Sequence, residues 1–586
     1  MNYFSDESEW KWMLRNAIDW KTIIPMYYPN FPTEDGFNNE EEILGFMEEL
    51  LTQTGSWAAD AVYGRAEAID QNGAGEVKDG RTIPGPELSA FYKEATELGA
   101  FGVSLPTDFG GMGLPAVALM VLLEQLSRAC NSQCTQLAFF SSIADMVHRF
   151  CDHETAQRIV PKIISGELSG SMNLTEPGCG SDLGMIKTSA TPVGDGTYKL
   201  NGSKIFITNG GGGVGFVLAR IKGAPEGLPG LSLFLCEQDE EGIEGPNFIV
   251  AKNEHKMGMH GSFTCEVVYE NSIARLIGEE GQGFKYMLHL MNEARIAVGM
   301  QALGGIEGCI GYARKYADER MQFDKPISEL PLMKRNLEDF ETERDALRAL
   351  LVDTISSYDI FQKLDLKKKM TGELSSEEEA QFKNASIWTR KRTPLVKYYS
   401  CEAYTYLSTK AIQVLGGYGF MEEYPMSRYH RDSFGPLLYE GTSQIQALMA
   451  LKDMIKYIAK NPDKYFKNLF IKHPAFNWVS AESKEQKELT STQYTFKKSL
   501  VKLIIKCLKP DSLSDLANPK AWMNEENVDK LMIHAETICQ GLSYLETLRV
   551  LANHASIDKE RYDLFSRYLR LVMPRLTAIY NDWDIR

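Results

Sequence analysis

The 586-residue chain has no uninterrupted apolar run approaching the roughly 20 residues that a membrane-spanning helix needs, so no transmembrane segment is expected. Cysteine is scarce. Ten are scattered along the chain, which does not resemble a disulfide framework and fits a reducing, cytoplasmic setting. Positive charge is short as well: Asp and Glu exceed Lys and Arg by 79 to 63, for a formal net charge of −16. That balance disfavours nucleic acid and anionic membrane surfaces as partners. It leaves anionic small ligands open, because these need only local cations and helix N-termini. The start, MNYFSDESEWKWMLRNAIDW, lacks the apolar core of a secretory signal and carries Asp6, Glu7 and Glu9 in its place. The sequence also contains no G-x-x-x-x-G-K-[ST], G-x-S-x-G or H-E-x-x-H, which removes support for P-loop ATPase, simple hydrolase and metalloprotease readings.

What is present is an ordinary globular composition, 44% hydrophobic, 24% charged and 10% aromatic, on a chain long enough for several domains. Residues 1–37 read as an aromatic, Pro-containing extension wrapped on a neighbouring surface. Residues 38–168 are helical, with apolar residues three and four apart in EEILGFMEELL, PELSAFYKEATELGA and AVALMVLLEQLSRA. Over 169–275 the texture changes to short β-branched and aromatic runs, with Asn201-Gly202 between two of them predicting a two-residue hairpin. Helical periodicity returns over 276–460, where the charged stretch 363–383 reads as a solvated helix–turn–helix. Past Asn461-Pro462, residues 461–586 read as an appended helical domain. Segregated helical and strand regions give an α+β class rather than an alternating parallel sheet.

Two motifs have plain explanations. Gly210 to Gly215 formally matches G-x-G-x-x-G, but FVLARI follows and reads as a strand, so a loop between strands is expected rather than a dinucleotide fingerprint. Cys130 and Cys134, with His148, Cys151 and His153 downstream, read as buried small hydrophobes rather than metal ligands.

Four segments carry more. Thr175-Glu176-Pro177-Gly178-Cys179-Gly180-Ser181-Asp182 offers a turn whose backbone N–H groups suit an anion. Lys204 to Gly210, KIFITNG, ends a strand region with an aromatic and a hydroxyl. Gln413 to Phe420, QVLGGYGF, permits close approach of another backbone or a ligand. Tyr439 to Gln446, YEGTSQIQ, puts a carboxylate just before a helix, and Ser443 with Gln446 has capping-box spacing, predicting a start near Thr442.

In this order the four segments resemble the signatures of the acyl-CoA dehydrogenase family over about residues 40–460, and the extensions at both ends resemble its larger bacterial subgroup, very-long-chain-like and methylthiopropionyl-CoA dehydrogenases included. The resemblance implies an N-terminal helical domain, a central β-barrel domain and a helical bundle, with FAD between the last two. It implies that Met172, Leu174, Thr175, Ser181, Phe206, Ile207 and Thr208 line the flavin, with Met172 and Phe206 standing where much of the family has Tyr and Trp. Arg320, Gln322 and Phe323 match a segment that reaches the FAD of a neighbouring subunit, and Gln413, Gly416 and Gly417 its adenosine side. A His common just after that first segment is replaced by Leu330-Pro331. Thr442 and Gln444 match cofactor contacts following the base. Ser181, Asn292, Arg295 and Gly441 match positions around the acyl-CoA, although Arg295 also reads as a helix-surface ion pair.

The base itself matches Glu440. Removing a weakly acidic α-proton needs a positioned carboxylate, and desolvation raises its pKa toward the working pH. Some relatives carry the base on the helix of Arg295, where this chain has Ala294; Glu293 is the next acid there. The resemblance implies α,β-dehydrogenation of an acyl-CoA to trans-2-enoyl-CoA, with electrons passed to electron-transfer flavoprotein, by a homodimer or dimer of dimers. The alternatives are an acyl-CoA oxidase and a non-catalytic assembly protein of the same family.

Overall fold

The computed structural model describes residues 1–34, 36–460, 483–508 and 524–585. Two short helices, α1 (Ser8–Asn16) and α2 (Trp20–Tyr27), precede a helical region of α3 (Glu40–Trp57), α4 (Tyr63–Asn72), α5 (Pro86–Glu97), α6 (Ala116–Ala129), α7 (Asn131–Phe150) and α8 (His153–Ile164). Between α4 and α5 lies a small ribbon of β1 (Gly75–Lys78) and β2 (Arg81–Pro84). Every residue of α6 is buried, its polar Glu124, Gln125, Ser127 and Arg128 included, because helices surround it, with α9 (Gly283–Glu319) along its length.

The strands are β3 (Ser169–Asn173), β4 (Ser189–Gly194), β5 (Thr197–Thr208), β6 (Gly213–Ile221), β7 (Leu231–Glu237), β8 (Ile249–Asn253) and β9 (Thr264–Ile277). Pairings β4–β5–β9–β7–β6–β4 return to their start, so five strands close a barrel, with β3 added on β6 and β8 on β9. Closure leaves these five without a free edge. All seven residues of β7 are buried, as a strand covered on both faces must be.

The Asn201-Gly202 hairpin expectation is wrong. Both residues lie inside the long strand β5, opposite a register shift in which Asn271 takes φ 55°. The Asn201 side chain is occupied there, its Oδ1 accepting from the Asn271 backbone N–H at 3.0 Å. The two-residue turn is instead Asp195-Gly196, with φ 51° and 73°, joining β4 to β5. Both pairs carry turn chemistry, and only strand pairing separates them. Of the glycine run, Gly210 to Gly212 bridge β5 and β6 as expected, while Gly213 to Gly215 already belong to β6.

A short ribbon, β10 (Met321–Gln322) and β11 (Lys325–Pro326), follows α9 and leads into α10 (Pro331–Thr371). The charged stretch then turns at Gly372 into α11 (Ser376–Leu415), whose Ser375–Glu378 capping box starts the helix. Next come α12 (Met426–Asp432), α13 (Phe434–Leu438) and α14 (Ser443–Lys460). α9, α10, α11 and α6 pack as one bundle, and α15 (Lys484–Cys507), α16 (Glu525–Met532), α17 (Ala535–Ile557) and α18 (Tyr562–Ile585) cover it, α17 lying against α10, α11 and α14. The junction at Asn461-Pro462 lies outside the described residues. Among those residues, no helix is long and apolar enough to cross a membrane.

Candidate functional site

Between α7, α9, the barrel and the loop before α14 lies a cavity lined mainly by apolar groups, among them Leu123, Phe139, Met172, Leu290 and Val298. Glu440 reaches its wall, with Thr208 and Ala294 also lining it. The local backbone explains how. Glu440 and Gly441 both take positive φ, 56° and 91°, a reversal that is costly for a glutamate and lets the chain turn sharply before the helix.

The turn is held from three sides. Arg295 Nε donates to the Glu440 carbonyl at 3.1 Å, and Gln446 Nε2 donates to the same oxygen at 2.9 Å and to the Gly441 carbonyl at 3.2 Å. Lys397 Nζ donates to the Gly441 carbonyl at 2.7 Å, and Ser443 Oγ donates to Glu402 at 2.6 Å. The expected capping box therefore does not form. Ser443 is spent on Glu402 and Gln446 on the carbonyls of the turn, and Thr442 caps α14 by accepting from the Ile445 N–H at 3.4 Å. The carboxylate itself is left free: Oε2 is buried with no hydrogen-bond partner. Burial drives the Glu440 pKa up to about 7, against the pull of Arg295 and then Lys397. That is a base tuned near neutrality, facing an apolar cavity.

Arg295 is 3% exposed, so the surface ion-pair reading fails. α9 buries it because it lies beneath the Glu440 loop, where its Nη1 also donates to Asn292 Oδ1 at 3.1 Å. Glu293, the rival acid, points elsewhere. It sits, buried, in a separate group with the half-buried Asp145 and His289, and it is not part of the cavity wall. Within that group Arg149 Nε already donates to Asp145 at 2.6 Å. Cys130 and Cys134 are buried and free, Cys134 lining the cavity.

The barrel side is shaped by a bulge. The β5–β9 register shifts between Lys204 and Ile207, and Phe206 takes φ 59°. The extra residue breaks the in–out alternation, turning Phe206 outward to 61% exposure while Ile207 stays in the core. Leu174 is also buried, so at these two positions only backbone groups can meet a ligand. Beneath the bulge, Lys204 is fully buried and its ammonium donates to the carbonyls of Leu174 and Leu218 and to Glu176 Oε1, at 2.8–2.9 Å. Glu176 in turn accepts from the Lys187 and Thr188 N–H groups. This network locks the Leu174–Glu176 segment to β5, whose Ile205 N–H donates to the Thr175 carbonyl at 2.9 Å. Thr175 is half-buried and Ser181 is exposed in the loop beyond.

The remaining expected residues lie apart. Arg320, Gln322, Gly416 and Gly417 line a second, open cleft between the β10–β11 ribbon and the end of α11. Phe323, with φ 51°, projects from the ribbon tip at 82% exposure, and Gln413 is exposed on α11. Gln444 is exposed and donates to Glu536 of α17 at 3.4 Å. One chain thus gathers Glu440, Thr208, Met172 and the Phe206 bulge on one side, and leaves the Arg320–Gly417 group in another place. Sequence reasoning missed Lys397 and the pair in which Tyr439 donates to Gln301 at the cavity wall, and it gave Gln446 a capping role in place of its bonds to the turn. The available signal was a single polar residue set in an apolar helical stretch, as in LVKYYS.

Three family models match the chain: "Acyl-CoA dehydrogenase, N-terminal domain" over residues 48–167, "Acyl-CoA dehydrogenase, middle domain" over 171–272, and "Acyl-CoA dehydrogenase, C-terminal domain" over 281–455. The chain is 31% identical over 369 residues to the acryloyl-CoA reductase (NADH) of Anaerotignum propionicum, covering 62% of this chain and 86% of that one. It is 31% identical over 437 residues to the 3-methylmercaptopropionyl-CoA dehydrogenase of Ruegeria pomeroyi, covering 71% and 72%. It is 29% identical over 385 residues to subunit CarC of the caffeyl-CoA reductase-Etf complex of Acetobacterium woodii, covering 65% and 92%. Among solved structures, an acyl-CoA dehydrogenase from Bacillus anthracis complexed with FAD superposes with a TM-score of 0.75 over 96% of this chain and 92% of that one, at 22% identity.

Proposed function

The chain belongs to the acyl-CoA dehydrogenase family of oxidoreductases, and from that premise we propose that it desaturates an acyl-CoA thioester between Cα and Cβ, with Glu440 as the base and FAD as the cofactor. The observation that carries this reading is the Glu440 carboxylate oxygen Oε2, buried without a partner at an apolar cavity that Thr208 also lines.

The residues present fit FAD. Phe206 offers an exposed aromatic face turned out of the barrel by a strained bulge, and such strain clusters at ligand sites. Gly416 and Gly417 have no heavy atom within 4 Å of where a Cβ would stand, next to the exposed Arg320, so bare backbone and a cation are available together. When bound, FAD supplies a two-electron acceptor for the β-hydride. Met172, Thr175, Phe206 and Thr208 would hold its ring from the barrel side, with Thr442 near the base. Arg320, Gln322, Phe323, Gln413, Gly416 and Gly417 would serve the FAD of a second copy of the chain, which makes the active form a homo-oligomer.

Glu440 takes the α-proton. Its raised pKa keeps it a competent base near neutrality, and the apolar wall keeps water from competing. Arg295 and Gln446, by tying the Glu440 carbonyl, fix the direction in which the carboxylate leaves the backbone. The same proton can be returned along the same path, so these residues serve reduction of an enoyl thioester equally well. The coarse assignment therefore covers relatives named as dehydrogenases and as reductases, and electron-transfer flavoprotein is the proposed partner in the oxidative direction.

The test is anaerobic titration of the FAD-loaded protein with saturated acyl-CoA thioesters of graded length, a 3-methylthio acyl chain included. Bleaching of the flavin by at least one of them is expected, followed by fast reoxidation with electron-transfer flavoprotein and slow reoxidation in air. Stoichiometric hydrogen peroxide at each turnover would favour the oxidase alternative. No bleaching by any thioester would remove the reading.

A further inference from the structure

Lys397 is a lysine with no exposure at all, in the middle of α11. Its ammonium donates to the Gly441 carbonyl at 2.7 Å, one residue beyond the base. That carbonyl does not need a cation, because Gln446 Nε2 already donates to it. Burying an ammonium against a neutral acceptor is expensive unless an anion stands nearby. Two acids act on Lys397: Glu402, whose carboxylate already accepts from Ser443, and Glu440, whose Oε2 has no hydrogen-bond partner of its own. Resting on the dehydrogenase reading above, we infer that Lys397 is a positioning residue for the base: it fixes the Gly441 end of the loop and sets, through its charge, the pH at which Glu440 becomes ionised.

The surroundings support a charge role. The charged groups acting on Glu440 are Arg295 from α9 and Lys397 from α11. Lys397 is itself faced by Cys401, Glu402 and Arg295, while Cys134 of α7 and Tyr439 of the loop share the cavity wall with Glu440 and Asp432 of α12 acts on Tyr439. Burial pushes the Cys401 thiol up to about 12 and the Tyr439 phenol well above its usual range, so both stay neutral at physiological pH. The cations acting on the carboxylate are Arg295 and Lys397. Arg295 approaches the backbone side of the loop from α9 and Lys397 from α11, so the two are not redundant in position. Burial lowers the Lys397 pKa, and Cys401, then Glu440, then Glu402 oppose that fall.

The experiment follows the Glu440 carboxyl by infrared difference titration, its band assigned by disappearance in Glu440→Gln. Lys397→Gln keeps a donor for the Gly441 carbonyl without the charge, Lys397→Met removes both, and Lys397→Arg keeps the charge. Removing a cation disfavours the carboxylate, so both neutral variants should titrate higher than wild type by about one pH unit or more, a tenfold change in the ionisation constant. Lys397→Arg should stay close to wild type. The rise of acyl-CoA-driven flavin bleaching with pH should move upward in parallel. Equal titration in wild type, Lys397→Gln and Lys397→Met would overturn the inference, as would a uniform loss of bleaching rate with an unmoved pH profile, which is what a purely structural lysine gives. If neither neutral variant folds, the reciprocal measurement decides: nitrogen NMR of Lys397 Nζ should show its pKa lower in Glu440→Gln than in wild type, since coupling acts equally in both directions, and an unchanged value would overturn the inference. The infrared and NMR titrations need no turnover, so the electrostatic role is tested even if the dehydrogenase reading fails.

Discussion

Glu440 stores a conflict that should be measurable as stability. Burial raises its carboxyl from 4.5 to about 7, so the folded chain keeps a proton that the unfolded chain has released. Between those two values the unfolded state binds fewer protons, so stability falls as pH rises through that window and levels off above it. Glu440→Gln carries no such penalty. The variant should gain on the order of 1–3 kcal/mol relative to wild type at pH 8 and nothing at pH 4; urea unfolding of the cofactor-free proteins at both pH values checks it. A difference that does not change with pH would show that the carboxylate is not desolvated. The residue was legible in the sequence because YEGTSQIQ is a specific phrase in which the acid precedes a helix. Lys397 and Gln446 were not, because their meaning depends on which carbonyls they reach, and those are set by how α11 and α14 cross.

Elements show the same division. Helices with a clear 3.6-residue period and the strand-rich region were readable, since each periodicity reflects one buried face. The closed barrel was not readable from pattern alone, and came instead with the family resemblance, because closure depends on β6 pairing with β4 and β7 at once. The hairpin error arose where two turn-forming pairs lie six residues apart and only one is a turn. The glycine run, by contrast, can now be given a cause. A Cβ on Gly212 would stand 2.9 Å from the Gly170 backbone nitrogen and closer still to Ser169 Oγ, so the run lets the β5–β6 loop pack onto β3. Gly212→Ala should therefore destabilise by about 1–3 kcal/mol, as overpacking does, and impair FAD loading through displacement of β3. Thermal unfolding together with flavin content of the purified protein measures both. An alanine variant with wild-type stability would mean that the loop has slack.

For the whole molecule, residues 1–27 clamp distant parts together. Arg561 of the C-terminal region pairs with Glu9, Trp12 Nε1 donates to Asp558 at 2.9 Å, and Tyr27 donates to Asp359 of α10 at 2.8 Å. Trp10 is nearly fully buried at the centre of this clamp. Trp10→Ala should cost about 3–5 kcal/mol, read as a lower urea midpoint for the bundle and C-terminal helices together; separate transitions would show that the clamp does not couple them. The same scale explains why the proposed cofactor residues fall into two groups. An exposed Phe323 on a projecting ribbon and an open glycine cleft make sense as surfaces completed by a second copy. Sedimentation should find FAD with a dimer or larger species, and Arg320→Ala should weaken FAD retention by about 1.5–3 kcal/mol, the range for a charged hydrogen bond. A monomer that holds FAD tightly would contradict this.

The central claim is that Glu440 is the base, and stopped-flow flavin reduction by Glu440→Gln tests it most directly. The amide keeps the size of the side chain and the backbone of the turn, so FAD content and acyl-CoA binding should be close to wild type. It cannot accept the α-proton, so the reduction rate should fall by at least the ~10²–10⁴ expected for loss of a general base, and the rise in rate near neutral pH should vanish. A Glu440→Gln protein that reduces its flavin within about threefold of the wild-type rate, with the same pH profile, would contradict the assignment.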